Sequence, residues 1–127
     1  MSKIIAVDFD GTIVSHAYPD IGQDNPRAIK VLKKLLNEGH RLILWTMRSG
    51  DTLQDAINYC NEKGITFWGI NENPEQNWSN SNKQYAHLYI DDAALGCPVN
   101  YDHRTQRHWV NWTAVEGALI RSGYLSS

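Results

Sequence analysis

Residues 4–10 read IIAVDFD, an apolar and largely β-branched run that passes directly into two aspartates and then Gly11-Thr12. A segment this short and this apolar suits a strand buried on both faces better than a helix. Carboxylates at the end of a buried strand are costly unless something pairs with them. The arrangement recurs along the chain. RLILW, residues 41–45, leads into Thr46 and Arg48, and AHLYI, residues 86–90, leads into Asp91-Asp92. A further run of this kind, ITFWGI, occupies residues 65–70.

Helical patterns lie between these runs. Asp24-Asn25-Pro26 marks a helix start, Ala28, Ile29, Leu32, Leu35 and Leu36 follow at helical spacing, and Gly39 closes the segment. Residues 49–64 predict a second helix with Leu53, Ala56, Ile57 and Cys60 on one face and Gly64 as its stop. NENPEQNWSNSN, residues 71–82, reads as a polar loop. A short fifth strand is predicted near residues 98–101 and a last helix over about 112–122. Strands alternating with helices predict a single α/β domain over residues 1–127. Its expected form is a Rossmann-like three-layer sandwich, with a mainly parallel five-stranded sheet and helices on both faces. Ligands bind beyond the carboxyl ends of such strands. That is where Asp8, Asp10, Thr46, Arg48, Asp91 and Asp92 fall.

Composition narrows the classes. A chain of 127 residues with 42% hydrophobic and 20% charged residues is expected to fold around one core. A net charge of −2 gives no basic field of the kind nucleic-acid binders carry. Cys60 and Cys97 lack metal-ligand spacing and are too few for a disulfide scaffold. No signal-like leader and no apolar stretch of about 20 residues is visible, so the expectation is a cytoplasmic protein without a membrane anchor.

DFDGT at residues 8–12, Thr46 closing LILWT, Lys83 in SNKQYAHLYIDD, and Asp91-Asp92 occur in that order. In these motifs the chain resembles the haloacid dehalogenase (HAD) superfamily of phosphohydrolases over nearly its whole length. The resemblance implies Asp8 as nucleophile and Asp10 as general acid/base, with Thr46 and Lys83 on the transferring phosphoryl group. It implies Mg²⁺ held by Asp8, Asp10, Asp91 and Asp92. It also implies a central first strand flanked by the second and the fourth. Many members carry a cap domain. Neither insertion point here has the ~50 residues a domain needs. A capless member is therefore implied, with a short flap after the first motif that carries His16 and Tyr18. Such a site admits a large substrate or is covered by a second subunit of a homo-oligomer through the segment from Tyr101 to Trp109.

The chemistry accounts for the residue types separately. In-line attack on a phosphate monoester is mostly positioning and charge neutralisation. A carboxylate can serve as the nucleophile. A carboxylate two residues on can protonate the leaving alkoxide and then deprotonate water. The expected activity is a Mg²⁺-dependent phosphomonoester phosphatase working through an aspartyl-phosphate on a phosphorylated substrate. The alternative is a catalytically weak phosphate-binding or regulatory module on the same scaffold. Receiver domains use similar residues in a different order. Arg48 either binds substrate or pairs with a structural carboxylate. His16 is a candidate leaving-group contact, and Trp78 a candidate for the site entrance. Simpler readings stand beside these: DGT as a turn, Lys83 as a solvated loop charge, Trp45 and Trp68 as core, and residues 103–108 as a solvated or subunit-contact segment.

Overall fold

Four short strands form a parallel sheet in the order β3-β2-β1-β4, where β1 is Ile4–Val7, β2 Arg41–Leu44, β3 Gly69–Ile70 and β4 Leu88–Ile90. The structure is a computed structural model that describes residues 2–127. Three helices accompany the sheet: α1 (Ala28–Asn37), α2 (Gly50–Glu62) and α3 (Trp112–Arg121). Two further strands, β5 (Val99–Asp102) and β6 (Arg107–Val110), pair antiparallel as a separate ribbon. Among the described residues, no helix is long and apolar enough to cross a membrane.

The sheet has four strands and not the expected five. The segment foreseen as a fifth parallel strand is β5, and it pairs with β6 instead. A parallel neighbour for β4 needs a crossover of about a dozen residues or more. Residues 91–98 are too few, and they are folded into turns by Ala94 N–H to Asp91 C=O and Cys97 N–H to Ala94 C=O bonds. Asp102 then accepts from the Arg104 N–H at 2.9 Å, and Gln106 takes φ 57°. Those two features reverse the chain into β6.

The sandwich also has fewer layers than expected. Alternation along the strands sends Ile5, Val7, Leu42, Leu44 and Ile90 to one face. There they meet Val31, Leu32 and Leu35 of α1, Ala56 and Cys60 of α2, and Val115 and Leu119 of α3. Each large apolar side chain buried in this way contributes roughly 1.5–3 kcal/mol. The opposite face carries Ala6 and Ile43, shielded by half-buried Ile4, Trp45, Trp68 and Tyr89 and by Ala86. Among the described residues, no helix contributes to that second cluster. The crossover from β3 to β4, residues 71–87, has no helical stripe to bury, so it crosses as irregular chain. Side chains hold it: the Asn73 amide donates to Tyr85 C=O at 2.9 Å, and Gln76 accepts from Tyr85 N–H at 2.7 Å. The expected layer of helices on this face is therefore absent among the described residues. Trp45 and Trp68 do serve as packing residues there, as expected.

Candidate functional site

The register places the first acidic residues. Val7 pairs with Ile90, and the Asp8 N–H continues the ladder to Ile90 C=O at 3.0 Å. Asp8 and Asp91 thus leave adjacent strands side by side. Carboxylate oxygens of Asp8, Asp91 and Asp92 all lie within 4.8 Å of one another. Burial, the neighbouring Asp91 charge and a hydrogen bond with Asp92 push the Asp8 carboxyl up to about 8. Burial likewise raises Asp91. Three carboxylates so placed need a proton or a cation between them.

Thr12 organises this group. Its buried hydroxyl donates to Asp8 Oδ2 at 3.0 Å, lies 3.4 Å from Asp92 Oδ1, and accepts from the Asp92 N–H at 3.1 Å. Its carbonyl accepts from the Asn25 amide at 2.8 Å and from the Trp112 indole N–H at 2.7 Å. Asn25 stands at the start of α1 as expected, its carbonyl accepting from the Ala28 N–H, and its amide also ties the turn that follows β1. Gly11 has φ 79°, and a Cβ there would collide with the His16 ring and sit 2.6 Å from Asp92 Oδ2. Conformation and close approach both require glycine at this position.

Asp10 is not part of the acidic group, although it was expected among the metal ligands. Arg48 takes both of its oxygens, Nε to Oδ2 at 2.8 Å and Nη2 to Oδ1 at 2.7 Å. The remaining guanidinium donors reach the carbonyls of Pro19 (3.2 Å), Asp20 (2.7 Å) and Thr52 (3.2 Å). Arg48 is 3% exposed, lies over Phe9 and Tyr18, and has its pKa raised by Asp10. Of its two expected roles, the structural pairing is the one present, because no N–H is left for a substrate. The clamp joins the end of β1, the flap and the start of α2.

Thr46 lines an open cleft of about 330 Å³ with Asp8, Trp45, Met47, Asn71 and Asp91. Its N–H donates to Asn71 Oδ1 at 2.8 Å, and its hydroxyl oxygen accepts from the Arg48 N–H at 3.1 Å. The hydroxyl proton is left for a ligand. Asn71 sits at φ 54°, a left-handed conformation that asparagine tolerates. Met47, at 98% exposure, stands at the mouth.

Lys83 does not join this site. It lies before the amino end of β4, whereas the acidic group lies beyond the carboxyl end. Its ammonium is 5.8 Å from the Tyr89 ring, in a separate surface pocket with Gln76, Trp78 and Tyr85. Trp78, 63% exposed, packs edge-on to Tyr85 there and does not line the Asp8 cleft. His16 does reach the site, with Nε2 at 3.1 Å from Asp92 Oδ2. His108 approaches the same oxygen at 3.7 Å, from β6. Through His108 the β5–β6 ribbon reaches the acidic group, and Val110 N–H fastens it to Gly11 C=O at 3.0 Å.

Fold and site together define an α/β protein with an acidic cluster at the carboxyl end of a parallel sheet. The chain matches a solved structure of a conserved protein coded by a locus of Bacteroides thetaiotaomicron, with 39% identity, a TM-score of 0.78, and coverage of 97% of this chain and 93% of that one. At that identity and coverage, the chain belongs to the family of that conserved protein. No family model and no curated protein matches the chain.

Proposed function

We propose that this protein is a capless HAD-type phosphohydrolase that cleaves phosphomonoesters through Asp8. The convergence of Asp8, Asp91 and Asp92 carries the reading. An all-oxygen, anionic donor set at the end of a buried sheet suits Mg²⁺, so these three residues would hold it. When bound, the ion would supply charge neutralisation between the nucleophile and a phosphoryl dianion.

The chain's own groups account for the remaining steps. An Asp8 oxygen attacks phosphorus, the ester P–O bond breaks, and the departing alkoxide takes a proton from Asp10. Water, deprotonated by Asp10, then attacks the aspartyl-phosphate and releases inorganic phosphate, restoring the Asp8 carboxylate. The Thr46 hydroxyl is available to donate to a phosphoryl oxygen in the adjoining cleft. Each Asp10 oxygen keeps a second lone pair beyond the Arg48 bond, where the transferred proton would sit.

Two observations favour a second reading, a phosphate-binding or regulatory module with little turnover. Arg48 holds both Asp10 oxygens, and Lys83 stands apart from Asp8. An assay of aryl phosphate hydrolysis by purified protein, with Mg²⁺ and with excess chelator, separates the two. The enzyme reading expects chelator-sensitive turnover and a beryllofluoride adduct on Asp8. An adduct without turnover would support the module. An adduct on another carboxylate would overturn Asp8 as nucleophile.

A further inference from the structure

We propose that the cleft between the flap and the β5–β6 ribbon seats the leaving group, and that it selects phosphomonoesters whose alcohol carries a second anionic group. The inference rests on the phosphohydrolase reading. The cleft measures about 450 Å³ and is lined by Ser15, His16, Gln23, Arg107, His108 and Trp109, among others. Small-ligand sites span about 300–1,000 Å³, so it has room for one small organic group.

Position is the first argument. His16 and His108 line the cleft, and both direct Nε2 at Asp92 Oδ2, at 3.1 and 3.7 Å. Asp92 is itself within the acidic group that holds Asp8. These two imidazoles therefore link the cleft to the acidic group. Under the proposal, the alcohol of an ester whose phosphoryl group sits on Asp8 is placed in this space.

Charge is the second argument. Two acids line the cleft, and each already has a base: Asp24 has Lys63 at 3.4 Å, and Asp102 has Arg104 at 3.5 Å. Arg107 makes no ion pair among the described residues. Asp102 lies opposite it in the ladder but accepts from the Arg104 N–H at 2.9 Å. The cleft thus offers a free guanidinium, whose planar fork matches a carboxylate or a phosphate. Half-buried Trp109 gives an apolar wall for the carbon frame between the two anionic ends. The ribbon that carries these residues is anchored to Gly11 C=O, so the wall stands in a fixed relation to the turn after β1.

The test compares phenyl phosphate with 4-carboxyphenyl phosphate on the Mg²⁺-loaded full chain. The native protein should prefer the carboxylated ester in kcat/KM, chiefly through KM. Arg107→Ala should reduce that preference by about tenfold or more, as expected for a lost charge-assisted hydrogen bond. Arg107→Lys should restore part of it. No native preference, or a preference that survives Arg107→Ala, overturns the proposal. A second arm needs no turnover: 4-hydroxybenzoate should shift the NMR signals of Ser15, His16 and Arg107–Trp109 in native protein, and not in Arg107→Ala. Hydrolysis without these shifts refutes the cleft and leaves the phosphohydrolase reading intact. Arginine-dependent shifts without hydrolysis of either ester refute that reading and keep the cleft as an anion site.

Discussion

Asp8 and Asp10 stand two residues apart at the end of the same strand, yet their surroundings are opposite. Asp8 faces two further carboxylates, and its proton is held up to about pH 8. Asp10 faces a buried guanidinium that donates to both of its oxygens. One carboxylate is balanced inside the chain and the other is not. The unbalanced group is where a ligand's charge can be taken up, because a satisfied buried pair gains little from a newcomer. The balanced one is where the fold anchors its flap.

The sharpest test of that contrast is turnover. Asp8→Asn keeps the side chain's shape and removes its charge. Under the proposed chemistry it should lower kcat on the order of 10⁴-fold, the scale for losing a nucleophilic or partner group in other enzymes. Steady-state assays with an aryl phosphate and Mg²⁺ measure this. A variant that keeps more than a tenth of native kcat would remove Asp8 from the nucleophile role.

Stability tests the balanced half. Arg48→Met leaves the half-buried Asp10 uncompensated and frees the carbonyls of Pro19, Asp20 and Thr52. Breaking one side of a fully buried pair costs about 3–5 kcal/mol, and the part-exposed Asp10 sets the expectation at or below the lower end of that range. Urea unfolding should show that loss, and adding Asp10→Asn should recover part of it. A loss below 1 kcal/mol would mean that the clamp contributes little to the fold.

The contrast was half visible in the sequence. The apolar runs placed Asp8, Asp10, Thr46, Asp91 and Asp92 at strand ends because period and composition are local signals. What pairs with what is not local. Arg48 meets Asp10 across 38 positions, and the Trp112 indole meets the Thr12 carbonyl across 100. Thr12 and Asn25 were read as turn and helix-start residues, and nothing in the sequence marks their bonds into the site. Lys83 differs, since a usable signal was present. It precedes an apolar strand whose far end carries Asp91, so extended chain puts it at the opposite end of the sheet. The polar run at 71–82 carries no 3.6-residue apolar stripe, and that absence already argued against a helix on the second face. The β5–β6 ribbon was missed because its turn depends on Asp102 and Gln106, not on the usual Asn-Gly or Asp-Gly pairs.

A cation should convert the unbalanced half into a balanced one, with a definite pH signature. The Asp8 carboxyl titrates near 3.8 when exposed and about 8 when folded. The folded chain therefore holds a proton that the unfolded chain has released, and stability without metal should fall as pH rises from about 4 to about 8. Asp8→Asn should flatten that slope. Mg²⁺ should oppose it, adding about 2.7 kcal/mol at a concentration 100 times its Kd, and its binding should release protons near neutral pH. Thermal melts across pH, with and without Mg²⁺, read each of these. A metal effect that persists unchanged in Asp8→Asn would place the ion elsewhere.

The smallest effect is expected at Lys83. It is exposed, makes no ion pair among the described residues, and lies near Tyr89 on the face of the sheet that carries no helix. A lysine side chain does not span the length of β4 to reach Asp8. From this position Lys83→Ala should change stability by no more than about 0.5 kcal/mol, the usual range for a surface substitution. It should lower kcat less than about tenfold, well short of a transition-state contact's worth. The HAD resemblance gives this lysine a place on the phosphoryl group, so the experiment also tests how far the crossover keeps its position. A kcat loss comparable to that of Asp8→Asn, with stability unchanged, would show that residues 71–87 swing toward the carboxyl end of the sheet when substrate binds. The uneven charge at that end, with no lysine or arginine paired to Asp8 among the described residues, would then describe the resting protein alone.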